Sequence, residues 1–125
     1  IRDRQEAIQS GILIDVTSTA KELGLTFPVT ITKPLWDIWI VTNQSLSQEE
    51  QSGRLRDVLM AFRLRLASLA TISPLIDFPA LLTMPPSTLP QPVPLFAIIQ
   101  PDGANHANVT LLLPNEVSLT ISPSS

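Results

Sequence analysis

The chain has 125 residues and a mass of 13.7 kDa, with 44% hydrophobic and only 15% charged residues and a mean hydropathy of +0.26. That is enough for one buried core, and little enough charge to leave apolar surface for self-association or a protein partner. The net charge of −3 and the pI near 4.9 have the wrong sign for a nucleic-acid footprint and are too small for a solvating, disordered chain. The absence of cysteine excludes disulfides, thiolate nucleophiles and Cys-based metal or iron–sulfur sites. No apolar run approaches the roughly 18 residues of a membrane helix. No signal-peptide pattern opens the sequence as given, which starts at Ile1, and a reducing cytoplasm is the expected setting.

Residues 3–10 are predicted as a short helix ended by Gly11 as a C-cap glycine. The run 11–16 follows as a brief strand or a buried crossing. Asp15, Thr17 or Ser18 caps a second helix that runs through Leu23 to Gly24. Phe27 to Thr32 alternates with period two, is rich in β-branched residues and reads as a strand with Pro28 at its start. Thr32 then serves as a helix cap with Pro34 in the first turn. The stretch Leu35 to Val41 is apolar on nearly every side, and the start signal favours a buried helix over a strand.

Ser47-Gln48-Glu49-Glu50 is a capping box, the clearest helix start in the chain. At 100° per residue, Leu55, Val58, Leu59, Phe62, Leu66 and Leu69 share one arc of the helix that follows. Arg54 and Arg65 flank one margin of that stripe, Arg56 and Arg63 the other. Met60 and Leu64 fall outside it and need cover from another element or another subunit. After Thr71 the helical period is lost, and residues 85–94 read as a proline-rich, extended connector. Ala80 to Met84, Leu95 to Gln100 and Asn108 to Leu113 are predicted strands, the last two joined through the Asp-Gly signal at Asp102-Gly103 as an antiparallel hairpin, with a further short strand at Val117 to Ile121. The expected fold is a single α+β domain over 1–125, in which N-terminal helices, one of them long and amphipathic, pack on a C-terminal antiparallel sheet.

Several blocks resemble a family of small uncharacterised bacterial proteins often encoded on plasmids and other mobile elements. They are residues 4–17 (RQEAIQSGILIDVT), 20–24 (AKELG), Phe27-Pro28-Val29 and Ile31-Thr32 with Trp36, then 52–59 (SGRLRDVL) and the closing Asn108 to Glu116 with its Leu112-Leu113-Pro114-Asn115-Glu116 end. The proline-rich connector departs from the family pattern, where a more charged loop is usual. The resemblance implies a bacterial, cytosolic setting, agrees with the α+β reading and transfers no catalytic residue.

No catalytic, metal-binding or cofactor-binding constellation emerges. His106, the one histidine, stands near Asp102 in the hairpin loop and lacks the further partners that a triad or zinc site requires, so it reads as a solvated turn residue. Glu49, Glu50 and Asp57 are candidates for paired carboxylates, but the capping box already accounts for Glu50. In Ser52-Gly53-Arg54, followed by Asp57, a glycine near a helix start and an arginine could clamp a carboxylate or phosphate, yet no phosphate-binding loop surrounds them. A kink or helix contact at Gly53 explains the pattern better. Trp36 and Trp39, amid Leu35, Ile38, Ile40 and Val41, read as core. The expectation is therefore a non-enzymatic interaction or accessory module, in one form a homodimer, with Met60 and Leu64 at its interface. The alternative is a binding protein for anionic metabolites, or a minor hydrolase, with a cleft formed by Arg54, Asp57 and His106.

Overall fold

The computed structural model describes residues 4–42, 45–83, 87–101 and 106–121. Helix α1 (Arg4–Gln9) leads into strand β1 (Leu13–Asp15), helix α2 (Thr17–Glu22) and strand β2 (Val29–Thr32). Both early helices end at a glycine in the left-handed region, Gly11 at φ 84 and Gly24 at φ 92. In each case the next amide reaches back five residues, Ile12 N–H to Ala7 O and Leu25 N–H to Ala20 O, which satisfies carbonyls that the helix end leaves free. No side chain caps the α2 N-terminus from the N-cap position. Instead Asp15 accepts from the Thr17 amide at 3.0 Å and from the Thr17 hydroxyl at 2.5 Å.

A short α-helical turn, α3 (Lys33–Leu35), continues into a π-helical segment, Trp36–Val41. The chain leaves it through Thr42 at φ 55, a conformation that a β-branched residue rarely adopts. Helix α4 (Gln48–Ala67) starts on the Ser47–Glu50 capping box, with both reciprocal hydrogen bonds at 3.1 Å. Strands β3 (Leu75–Leu82), β4 (Gln91–Pro101) and β5 (Ala107–Leu112) follow, and helix α5 (Pro114–Ile121) closes the described chain.

Two expectations are corrected here. The segment at Val117 to Ile121 is helical, because Pro114 opens the first turn and Glu116 Oε1 accepts the Leu113 amide at 2.8 Å. More broadly, the fold is not a set of N-terminal helices on a C-terminal antiparallel sheet. One five-stranded sheet in the order β1-β2-β5-β4-β3 sits in the middle of the molecule, and β2 pairs with β5 in parallel (Val29 with Val109, Ile31 with Leu111). The other strand pairs are antiparallel, so the sheet is mixed and draws strands from both halves of the chain. Period-two alternation identifies a strand but not its neighbour. The β2–β5 pairing is set by burial of both strands on both faces, as the fully buried Val29–Thr32 shows.

On one face of the sheet, Val29, Ile31, Phe78, Ala80, Leu95, Ala97, Val109 and Leu111 meet Leu55, Val58, Leu59 and Phe62 of α4, together with residues from α2, α3 and the π-helical segment. Phe62 is fully buried, and its ring lies 5.5 Å from that of Phe78 and 6.5 Å, edge-on, from that of Phe27. Trp36 and Trp39 are half-buried against this core. The opposite face carries the buried Thr30, Thr32 and Thr110. Helix α5 lies against β4 there, and α1 lies against β1. The Thr32 hydroxyl donates to Glu116 Oε1 at 2.7 Å and ties α5 to the sheet.

The expected connector at 85–94 overlaps β4, whose first four residues, Gln91 to Pro94, pair with Leu82 to Pro79 of β3. The prolines fit the ladder because of their phase. Ile99 N–H bonds to Pro74 O, which makes 74/99, and by alternation 76/97, 78/95, 80/93 and 82/91, the hydrogen-bonded pairs. Pro79, Pro92 and Pro94 all fall on the alternate positions. Pro79 therefore has its missing N–H toward the open edge, and Pro92 and Pro94 have theirs on the β5 side, beyond Leu112, where β5 has ended.

Candidate functional site

Helix α4 runs antiparallel to β3 and is fastened to it by two arginines, with Arg54 at the Thr83 end and Arg65 at the Asp77 end. Arg54 donates through Nε to Trp39 O at 2.5 Å and through Nη1 to Thr83 O at 2.9 Å, joining the helix to the π-helical segment and to the end of β3. Its Nη2 is buried and, among the described residues, has no hydrogen-bond partner. Burial pushes the Arg54 guanidinium below its ordinary pKa, opposed by the charge of Asp57. Asp57, one turn along, responds in the reverse sense. Desolvation holds its carboxyl above the usual aspartate value, opposed by Arg54. Arg65 donates through Nε to Asp77 O at 2.9 Å and stands 3.6 Å from the Asp77 carboxylate.

Where α4 overhangs the edge of β3, a groove of about 790 Å³ opens. One wall is Asp57, Met60, Ala61, Leu64 and Arg65 of α4. The other is Asp77, Pro79 and Leu81 of β3, with Pro90 and Pro92 at the end. Met60 and Leu64, singled out because they fall outside the core stripe, therefore meet strand residues that point away from the core. Leu64 and Leu81 face solvent with 60% of their surface exposed, and Leu89, next to Pro90, with 72%.

The edge of β3 itself is guarded. Leu75, Asp77, Pro79 and Leu81 turn their backbone groups outward, but Ser73 Oγ donates to Leu75 O at 2.6 Å, Arg65 holds Asp77 O, and Pro79 has no N–H. These are familiar devices against strand-to-strand association. At the other edge, β1 is only three residues long.

The structure places Asp57 on the groove and Arg54 one turn before it, outside the groove lining, and leaves His106 apart. Arg54 sits beside Thr83, where β4 begins, whereas the exposed His106 precedes Ala107, which pairs with Pro101 at the far end of β4. The intervening strand is 11 residues long, about 33 Å. Asp102, the neighbour expected for His106, lies outside the described residues. Glu49 and Glu50 belong to the exposed first turn of α4. A Cβ added at Gly53 would meet nothing within 4 Å, so neither a close contact nor a helix crossing explains that glycine. The part missed in the sequence is the strand wall of the groove. Leu81 falls in the expected strand Ala80 to Met84, Pro92 in the expected connector and Pro79 in no expected element, and only the alternation of exposed 77, 79 and 81 with buried 76, 78, 80 and 82 marks an outward row.

Among the described residues no helix is long and apolar enough to cross a membrane. No family model matches the chain, and neither a curated protein nor a solved structure matches it at a significant level.

Proposed function

We propose that the chain is a non-enzymatic protein-interaction or accessory module whose working surface is the groove between α4 and β3. The observation that supports this is the pair Leu64 and Leu81, each 60% exposed on opposite walls of an apolar groove in a chain with little charge. Apolar surface gathered in one concavity gains about 25 cal/mol per Å² when a partner covers it. The guarded β3 edge favours side-chain docking over strand addition. Residence on a bacterial mobile element and a cytoplasmic setting belong to the same proposal, on the sequence resemblance alone.

The test is Leu64→Glu. Sedimentation velocity over a range of concentrations, and a pull-down from nuclease-treated host lysate, should show a dimer or a stoichiometric protein partner with the wild type and neither with the variant. The thermal midpoint should stay unchanged, because an exposed leucine contributes within about 0.5 kcal/mol to stability. A variant that still associates places the surface elsewhere.

The alternative, an anionic-metabolite binder or minor hydrolase at Arg54 and Asp57, has one observation in its favour, the buried Nη2 without a partner. A thermal-shift screen against phosphorylated and carboxylated metabolites tests it. A hit that Arg54→Ala abolishes carries the alternative, and a flat screen removes it.

A further inference from the structure

The groove has a length, a polarity and an excluded binding mode, and together they narrow what can occupy it. From Asp57 to Arg65 the helical wall rises about 12 Å, a little over two helical turns. The facing row from Asp77 to Leu81 spans about 13 Å. An extended peptide adding to β3 would need the outward backbone groups in register. It would find no donor at Pro79, and the carbonyls of Leu75 and Asp77 already engaged by Ser73 and Arg65. A helix needs no backbone bond from its host and presents apolar side chains at i, i+4 and i+7 over the same distance.

Charge then separates the kinds of helix. At the Asp77 end the carboxylate is answered by Arg65. At the other end no hydrogen bond or ion pair among the described residues reaches the Asp57 carboxylate, which feels Arg54 only through space. An acid set on the wall of an apolar groove without a bonded partner calls for an incoming cation. A second copy of this chain would bring its own net charge of −3 to the same place.

We infer that the groove receives a short amphipathic helix of a basic partner protein, with apolar side chains seated between Leu64 and Leu81 and a lysine or arginine meeting Asp57. This rests on the interaction-module reading and adds the chemistry of the partner.

The experiment pans the full chain against an unbiased display library of 16-residue peptides and measures the selected peptides by fluorescence anisotropy. Enriched sequences should show apolar residues at helical spacing beside Lys or Arg. Binding should disappear with Leu64→Glu and weaken about tenfold with Asp57→Asn. It should also weaken from about 50 mM to about 500 mM salt, because the ion pair lies near the surface. Peptides that are acidic or uncharged, or indifferent to Asp57→Asn, but still need Leu64, overturn the basic helix and leave the interaction surface standing. A dimer that Leu64→Glu dissociates, with no peptide selected, assigns the groove to a second copy and overturns the inference alone. No Leu64-dependent binding of any kind overturns both.

Discussion

Along one side of α4, Leu55, Val58, Leu59 and Phe62 are buried against the sheet, while along the other Met60 and Leu64 look onto a groove that nothing in the described chain fills. Both sides carry large apolar side chains, so hydrophobicity does not distinguish them. The difference lies in what stands opposite. The stripe meets the inward row of β3, Phe78, Ala80 and Leu82, and the other side meets the outward row, Asp77, Pro79 and Leu81. Arg54 and Arg65 mark the boundary, since each reaches over to a backbone carbonyl of β3 or of the residue just after it. A helical wheel can sort residues into sides, but the phase of the facing strand decides which side becomes core.

Substitutions on the two sides should therefore differ in kind. The largest effect is expected for Phe62→Ala, which removes a fully buried ring in contact with Phe27 and Phe78. It should cost about 3–5 kcal/mol in urea unfolding, against near-neutrality for Leu64→Glu. At the boundary, Arg54→Ala leaves Trp39 O and Thr83 O without their donor and should cost about 2 kcal/mol. Arg54→Lys should recover only part of that, because one ammonium lacks the planar fork that serves both carbonyls. A loss below the error of the measurement would show that the arginine does not clamp the boundary. Gly53→Ala should instead raise stability by about 0.5–1 kcal/mol. The added methyl has open space and the glycine lies in an exposed helical turn at no special φ.

The smallest effect, and the one with a pH signature, belongs to Asp57. Its folded-state pKa lies above the unfolded value, so the native state holds the proton more tightly. The contribution to stability is present below the unfolded pKa and is lost as pH rises through the folded one. Asp57→Asn should remove this slope in the acidic range. At neutral pH it should be neutral or stabilising by about 0.3 kcal/mol, a figure kept small because the side chain is exposed. A variant with an unchanged pH profile would assign the desolvation to another group.

The sequence made legible what is local. The capping box at Ser47–Glu50, the glycine stops at Gly11 and Gly24, the core stripe of α4 and the off-stripe pair Met60 and Leu64 each follow from neighbours within one or two turns. The start of α5 is equally local, with Pro114 and Glu116 as its signals, although Val117 to Ile121 was expected as a strand. What was not legible depends on partners distant in the chain. The parallel pairing of β2 with β5 joins residues about 80 apart, as the Thr30–Thr110 hydroxyl contact at 3.3 Å shows. The strand wall of the groove was hidden for a related reason. Prolines argue against a strand until the orientation of each amide is known, and that is a property of the assembled sheet.

Those prolines also have a consequence for folding. If β3 slid by a single residue along β4, one of the two strands would have to turn over, so that either Pro79 or both Pro92 and Pro94 would face the opposing strand, and one or two rungs would have no proton to offer. Residues that ordinarily interrupt a sheet thus act as a key cut for one alignment. The misaligned hairpin is penalised by about 1 kcal/mol or more at each vacant rung, while the native alignment loses nothing.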